Sequence, residues 1–101
     1  MANAGTETAV KKQSEREQTR RDRELLDIRA VMKTQEGRRV INRILAESNV
    51  MGEIFSPNGS VTNLNLGMRK VGLFVYQELE LACPDLSLLM RQEYVKENSN
   101  A

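Results

Sequence analysis

The sequence contains no histidine and no tryptophan, a single cysteine and only 4% aromatic residues. Without histidine the chain lacks the commonest general base and the commonest metal ligand. A lone Cys83 can form neither an internal disulfide nor a zinc site of the Cys/His type. No apolar run approaches the roughly 18 residues that a membrane helix requires, and no hydrophobic signal segment is present. Synthesis in the cytosol is therefore expected. Strong charge of one sign is missing too, with 15 Lys and Arg against 14 Asp and Glu. The balance holds by region, with six basic and five acidic groups in residues 1–24, five and four in 25–60, and four and five in 61–101. Dedicated duplex-binding domains show a basic excess on one face because their affinity comes from neutralising phosphates. Composition alone speaks against that role, though a local basic stripe would still fit.

What is present reads as helix. The 101 residues suffice for one small domain, whose core must be Leu, Ile, Val and Met. Residues 7–24 carry almost no large apolar group after Val10 but are rich in Glu, Arg, Gln and Lys. These are good helix formers, and Glu17 with Arg21 and Arg20 with Glu24 fall four apart. A helix polar all round needs solvent or a partner. Residues 1–24 are thus expected to be a helical or partly disordered arm.

From Leu25 the pattern changes. Leu25, Leu26, Ile28, Val31 and Met32 predict a docking stripe that ends the first helix. Thr34 suits an N-cap for a second helix, which should bury Val40, Ile41, Ile44 and Leu45 and end near Asn49. Residues 49–62 are the longest irregular stretch, centred on the turn-forming Ser56-Pro57-Asn58-Gly59-Ser60. Its flanks, Ile54-Phe55 and Val61, offer a short hairpin as an alternative to plain loop. Asn63 is the expected cap of a central core helix bearing Leu64, Met68, Val71, Phe74, Val75 and Leu79. Gly67 and Gly72 inside it suggest close packing. Pro84 and Asp85 open a fourth helix, with Leu86, Leu89 and Met90 inward and residues 97–101 frayed. The fold class is therefore all-α: a three- to four-helix domain over residues 25–96 behind a long polar N-terminal helical extension.

Candidate chemistry is sparse. No glycine motif cradles phosphate, and no cofactor or metal is expected. Cys83 at a helix start reads either as a thiol of lowered pKa or as a small half-buried hydrophobe, the second favoured without a histidine partner. Glu78 and Glu80, two apart on a helix, point different ways and read as surface charge. Thr34 to Arg39 could grip an anion at a helix N-terminus, or simply be a capped, solvated start. Arg69-Lys70 carries the same pair of readings. Of the methionines, Met68 and Met90 suit core filling, while Met51 beside the long loop suits a partner.

Two blocks carry a wider pattern. The first is Leu25-Leu26-Asp27-Ile28-Arg29-Ala30-Val31-Met32 with Thr34-Gln35-Glu36-Gly37-Arg38-Arg39-Val40-Ile41-Asn42-Arg43-Ile44-Leu45. The second is Asn65-Leu66-Gly67-Met68-Arg69-Lys70-Val71-Gly72-Leu73 with Glu78-Leu79 and Ala82-Cys83-Pro84-Asp85-Leu86. Over residues 25–90 the chain resembles a family of small proteins from short-tailed bacteriophages, encoded beside portal and capsid genes. The resemblance implies a minor virion or assembly component, attached to the portal or packed inside the head. It implies synthesis in the host cytoplasm followed by residence in the virion. It supplies no catalytic residues.

The expected role is accordingly non-enzymatic and adhesive. Phage structural proteins are the implied partners, and a homo-oligomer in a symmetric assembly is expected. The expected partner-binding residues are Arg16, Arg20, Arg21 and Arg23 on the arm, beside Lys11 and Lys12, and Arg38, Arg39 and Arg43 on the second helix. The alternative is a small phage nucleic-acid-binding or regulatory protein that lays the same arm and Arg-rich helix along phosphates.

Overall fold

In a computed structural model that describes residues 4–50 and 56–99, the chain forms four helices. They are α1 (Ala4–Met32), α2 (Gln35–Glu47), α3 (Gly59–Ala82) and α4 (Pro84–Ser99). No strand occurs among the described residues. The all-α expectation holds.

The arm and the first docking segment are one uninterrupted helix of 29 residues. It stops at Met32, whose side chain is fully buried, and the chain reverses through Lys33 and Thr34. Thr34 is extended, at φ −96° and ψ 149°, and its hydroxyl accepts the Gly37 N–H at 3.0 Å. This is the predicted N-cap, satisfying one of the donors orphaned at a helix start. The reversal is tight enough that a Cβ on Gly37 would lie 1.8 Å from the Val31 carbonyl oxygen. Only glycine fits there. At its other end α2 stops at Glu47, and Asn49 takes a left-handed φ of 57°, which asparagine tolerates better than most residues.

The third helix begins earlier than Asn63. Asn58 caps it, its Oδ1 accepting the Ser60 N–H at 2.9 Å, and Thr62 ties back to Ser56 through both backbone groups. Val61 is therefore helical and supplies no hairpin strand; Met51 and Ile54-Phe55 lie outside the described residues. Cys83 separates α3 from α4, and Pro84 takes the first position of α4 as expected. The last helix runs through Ser99 instead of fraying from residue 97, with Asn98 and Ser99 side chains bonded to the Tyr94 and Lys96 carbonyls.

Met32, Leu79, Cys83 and Met90 form the buried core, with Ile28, Ile41, Leu45, Val75, Ala82 and Leu86 packed around them. All four helices contribute, and two of the four central side chains are methionines, which adapt to irregular gaps. Gly72 brings α3 against the end of α2, where a Cβ would meet Ser48 Oγ at 2.0 Å. Gly67 has nothing within 4 Å, so the close-packing expectation holds for one glycine of the two.

Several expected core residues lie outside. Leu26, Val31, Val40, Ile44, Leu64, Val71, Phe74 and Leu89 are all exposed. The cause is the shape of the assembly of helices. It measures 64 × 38 × 15 Å with a radius of gyration of 19.1 Å, against roughly 13 Å for a compact chain of this length. A body so thin covers one side of each helix and leaves the neighbouring sides open.

Candidate functional site

The polar arm stands clear of the body. Residues 5–20 are exposed throughout, about 24 Å of helix at 1.5 Å per residue. Local side-chain bonds run along it, Gln18 to Asp22 at 2.8 Å and Gln13 to Glu17 at 3.5 Å among them. Lys12, Arg16, Arg20 and Arg23 are spaced four, four and three apart, which sets them along one side of α1. Lys11 lies off that line. The stripe is the local basic feature that net charge concealed.

Arg21 marks where the arm joins the body, and it is not free for a partner. Its guanidinium donates twice to Glu78, at 2.9 and 2.6 Å, and lies 3.7 Å from Glu24. The paired geometry with Glu78 raises the arginine pKa above its already high ordinary value. Glu78 is thus the anchor of α1 on α3 and only 12% exposed, not the loose surface charge its spacing suggested.

The expected basic face of α2 is also largely spent within the fold. Arg38 is 11% exposed and bonds Glu93 of α4 together with the Met32 and Lys33 carbonyls. Its hydrogen bond holds the Glu93 carboxyl below the usual carboxylate range. Arg39 lies 3.8 Å from Glu36. Arg43 remains exposed, beside a shallow hollow shared with Arg38, Glu93 and Glu97. Mixed charge of this kind does not make an anion site. The anion-gripping reading of Thr34 to Arg39 gives way to the capped helix start.

Cys83 is fully buried, and burial pushes its thiol pKa up. The reactive-thiol reading is thereby removed. A polar cluster closes α3 against α4: Arg91 donates to the Tyr76 hydroxyl and lies 5.6 Å over its ring, and Ser87 donates to Glu80 at 2.8 Å. Every member is spoken for.

One unpredicted feature is apolar. A groove of about 380 Å³ opens between α1 and α3, lined by Ile28, Val31, Ile41, Phe74 and Val75. Glu24 and Asp27 lie on its rim, and the Arg21–Glu78 pair closes one part of it. Phe74 is 60% exposed, and Val71 and Leu64 continue from it along the same side of α3 at spacings of three and seven. These residues read as core from spacing alone. The available signal was that α3 carries large apolar groups on more than one side, Leu66, Leu73 and Leu81 included.

No helix among the described residues is long and apolar enough to cross a membrane. Comparison of the chain with known protein families, with curated proteins and with solved structures finds no match.

Proposed function

We propose that this chain is a non-enzymatic assembly subunit that acts through protein–protein contacts, in the virion or the assembly pathway of a short-tailed bacteriophage. The observation that carries the reading is the arm. Sixteen consecutive helical residues, 5–20, are exposed, with Lys12, Arg16 and Arg20 down one side, and Arg21 just beyond them pairs with Glu78 of the body. A solvated helix of that length has little stability of its own, so its use lies in docking on something larger. The resemblance of residues 25–90 supplies the setting, with a portal, head or tail protein as the partner. Mass spectrometry of purified particles tests this: the chain at a fixed ratio to the portal protein supports it, and its absence from particles and assembly intermediates overturns it.

A second reading rests on the stripe of Lys12, Arg16, Arg20 and Arg23. Such a row suits phosphates as well as acidic protein, which would make the arm a nucleic-acid contact. If all four reach phosphates of duplex DNA, affinity falls with salt at a log–log slope near −4, and replacing the four by Ala removes it. Binding that ignores salt removes this reading and leaves the first intact.

A further inference from the structure

We infer that the apolar groove between α1 and α3, with Val71 and Leu64 beside it, is the contact through which two copies of this chain pair. This deepens the assembly reading by naming one partner, yet it rests on the surface itself rather than on the phage setting. The chain exposes 7810 Å², whereas a folded monomer of 11.5 kDa exposes roughly 5,800 Å². The unfolded chain would expose roughly 16,700 Å², so folding hides little more than half of it, less than even a 60-residue domain manages.

The surplus of about 2,000 Å² exceeds the roughly 800 Å² per partner of a standard stable interface. The arm accounts for part of it but not for its chemistry. Among the described residues, Val10 is the only large apolar side chain left exposed on the arm, while Leu26 to Val95 lie on the body. A monomer in water rarely keeps so much apolar surface open.

A second copy suits the groove better than an unrelated chain because the region carries its own counter-charge. Glu24 and Asp27 edge the groove on the α1 side. On the α3 side, Phe74 belongs both to the groove and to a second hollow lined by Arg69 and Lys70. A two-fold pair presents the same patch from both sides, so the acidic α1 edge of one copy can meet the Arg69–Lys70 edge of the other. Phe74, the largest exposed side chain at the groove, is the expected centre of the contact.

Sedimentation velocity of the full chain, from micromolar to submillimolar concentration, tests the proposal. The wild-type chain should run at twice the chain mass. Phe74→Glu should weaken pairing by about 100-fold or more, since a carboxylate would be buried without a partner. Phe74→Ala, which only trims an exposed ring and so spares the monomer fold, should weaken it about tenfold. Leu88→Glu, on the exposed side of α4, should leave pairing unchanged, and circular dichroism should show all variants equally helical. A wild-type chain that stays monomeric overturns the proposal, as does a dimer that survives both Phe74 variants or one that only Leu88→Glu disrupts. A monomer still found in particles would sink the pairing and leave the assembly role standing.

Discussion

Arg38 and Glu93 lock together the turn between α1 and α2 and the middle of α4. The arginine Nε donates to Glu93 Oε1 at 2.5 Å, while its Nη1 donates to the Met32 carbonyl at 2.9 Å and the Lys33 carbonyl at 3.1 Å. One planar side chain thus satisfies carbonyls at the end of α1 and holds a carboxylate 55 residues away in sequence.

Arg38→Ala removes all of these bonds at a nearly buried position. Hydrogen bonds to charged groups contribute about 1.5–3 kcal/mol, so a loss of about 2 kcal/mol is expected, visible as a drop of roughly 10 °C in Tm. Arg38→Lys should recover only part of it, because an ammonium cannot reproduce the fork. Thermal unfolding followed by circular dichroism checks both. Arg43→Ala, in contrast, should leave Tm within about 1–2 °C.

Acid should unfold the protein through specific carboxylates. The hydrogen bond from Arg38 lowers the Glu93 pKa, and that from Arg29 lowers the Asp85 pKa. A carboxylate lowered in the folded state adds stability at pH values above its unfolded pKa, and this is lost as pH falls through the folded value. With no histidine and the Cys83 thiol pushed up, the urea midpoint should be nearly flat from about pH 5 to 8 and fall below about pH 4. Glu93→Gln should lower the neutral midpoint and shrink the acid drop. An unchanged acid drop in that variant would contradict the assignment.

Gly67 and Gly72 in the interior of α3 should respond oppositely to the same substitution. Gly72→Ala places a methyl group 2.0 Å from Ser48 Oγ and 2.2 Å from Val50 Cγ2. Overpacking of this kind costs about 1–3 kcal/mol and outweighs the gain in helix propensity. Gly67→Ala meets nothing within 4 Å and should stabilise by about 0.5–1 kcal/mol. Urea unfolding of the two variants side by side decides it.

These positions show how far the sequence could be read. The caps at Thr34 and Pro84 were legible because their chemistry is local: a hydroxyl three residues from the N–H it accepts, and a ring that fits the first turn. The start of α3 was misplaced because Asn58 and Asn63 are equally competent caps, and only the Ser56–Thr62 bonds favour the first. Arg21 and Arg38 looked like free cations because their partners Glu78 and Glu93 lie 57 and 55 residues away. The groove was hidden for a different reason. Spacing at three and four shows that Val71 and Phe74 share a side of a helix, but not whether this chain or another covers it. The basic stripe of the arm, by comparison, follows from residue numbers alone.

Hydrogen–deuterium exchange of the isolated chain most directly tests whether the arm depends on an outside partner. Residues 5–20 should exchange at close to unfolded rates, while the helical turns around Leu79 and Met90 resist longest. An arm as strongly protected as those core turns, in the chain on its own, would contradict the account.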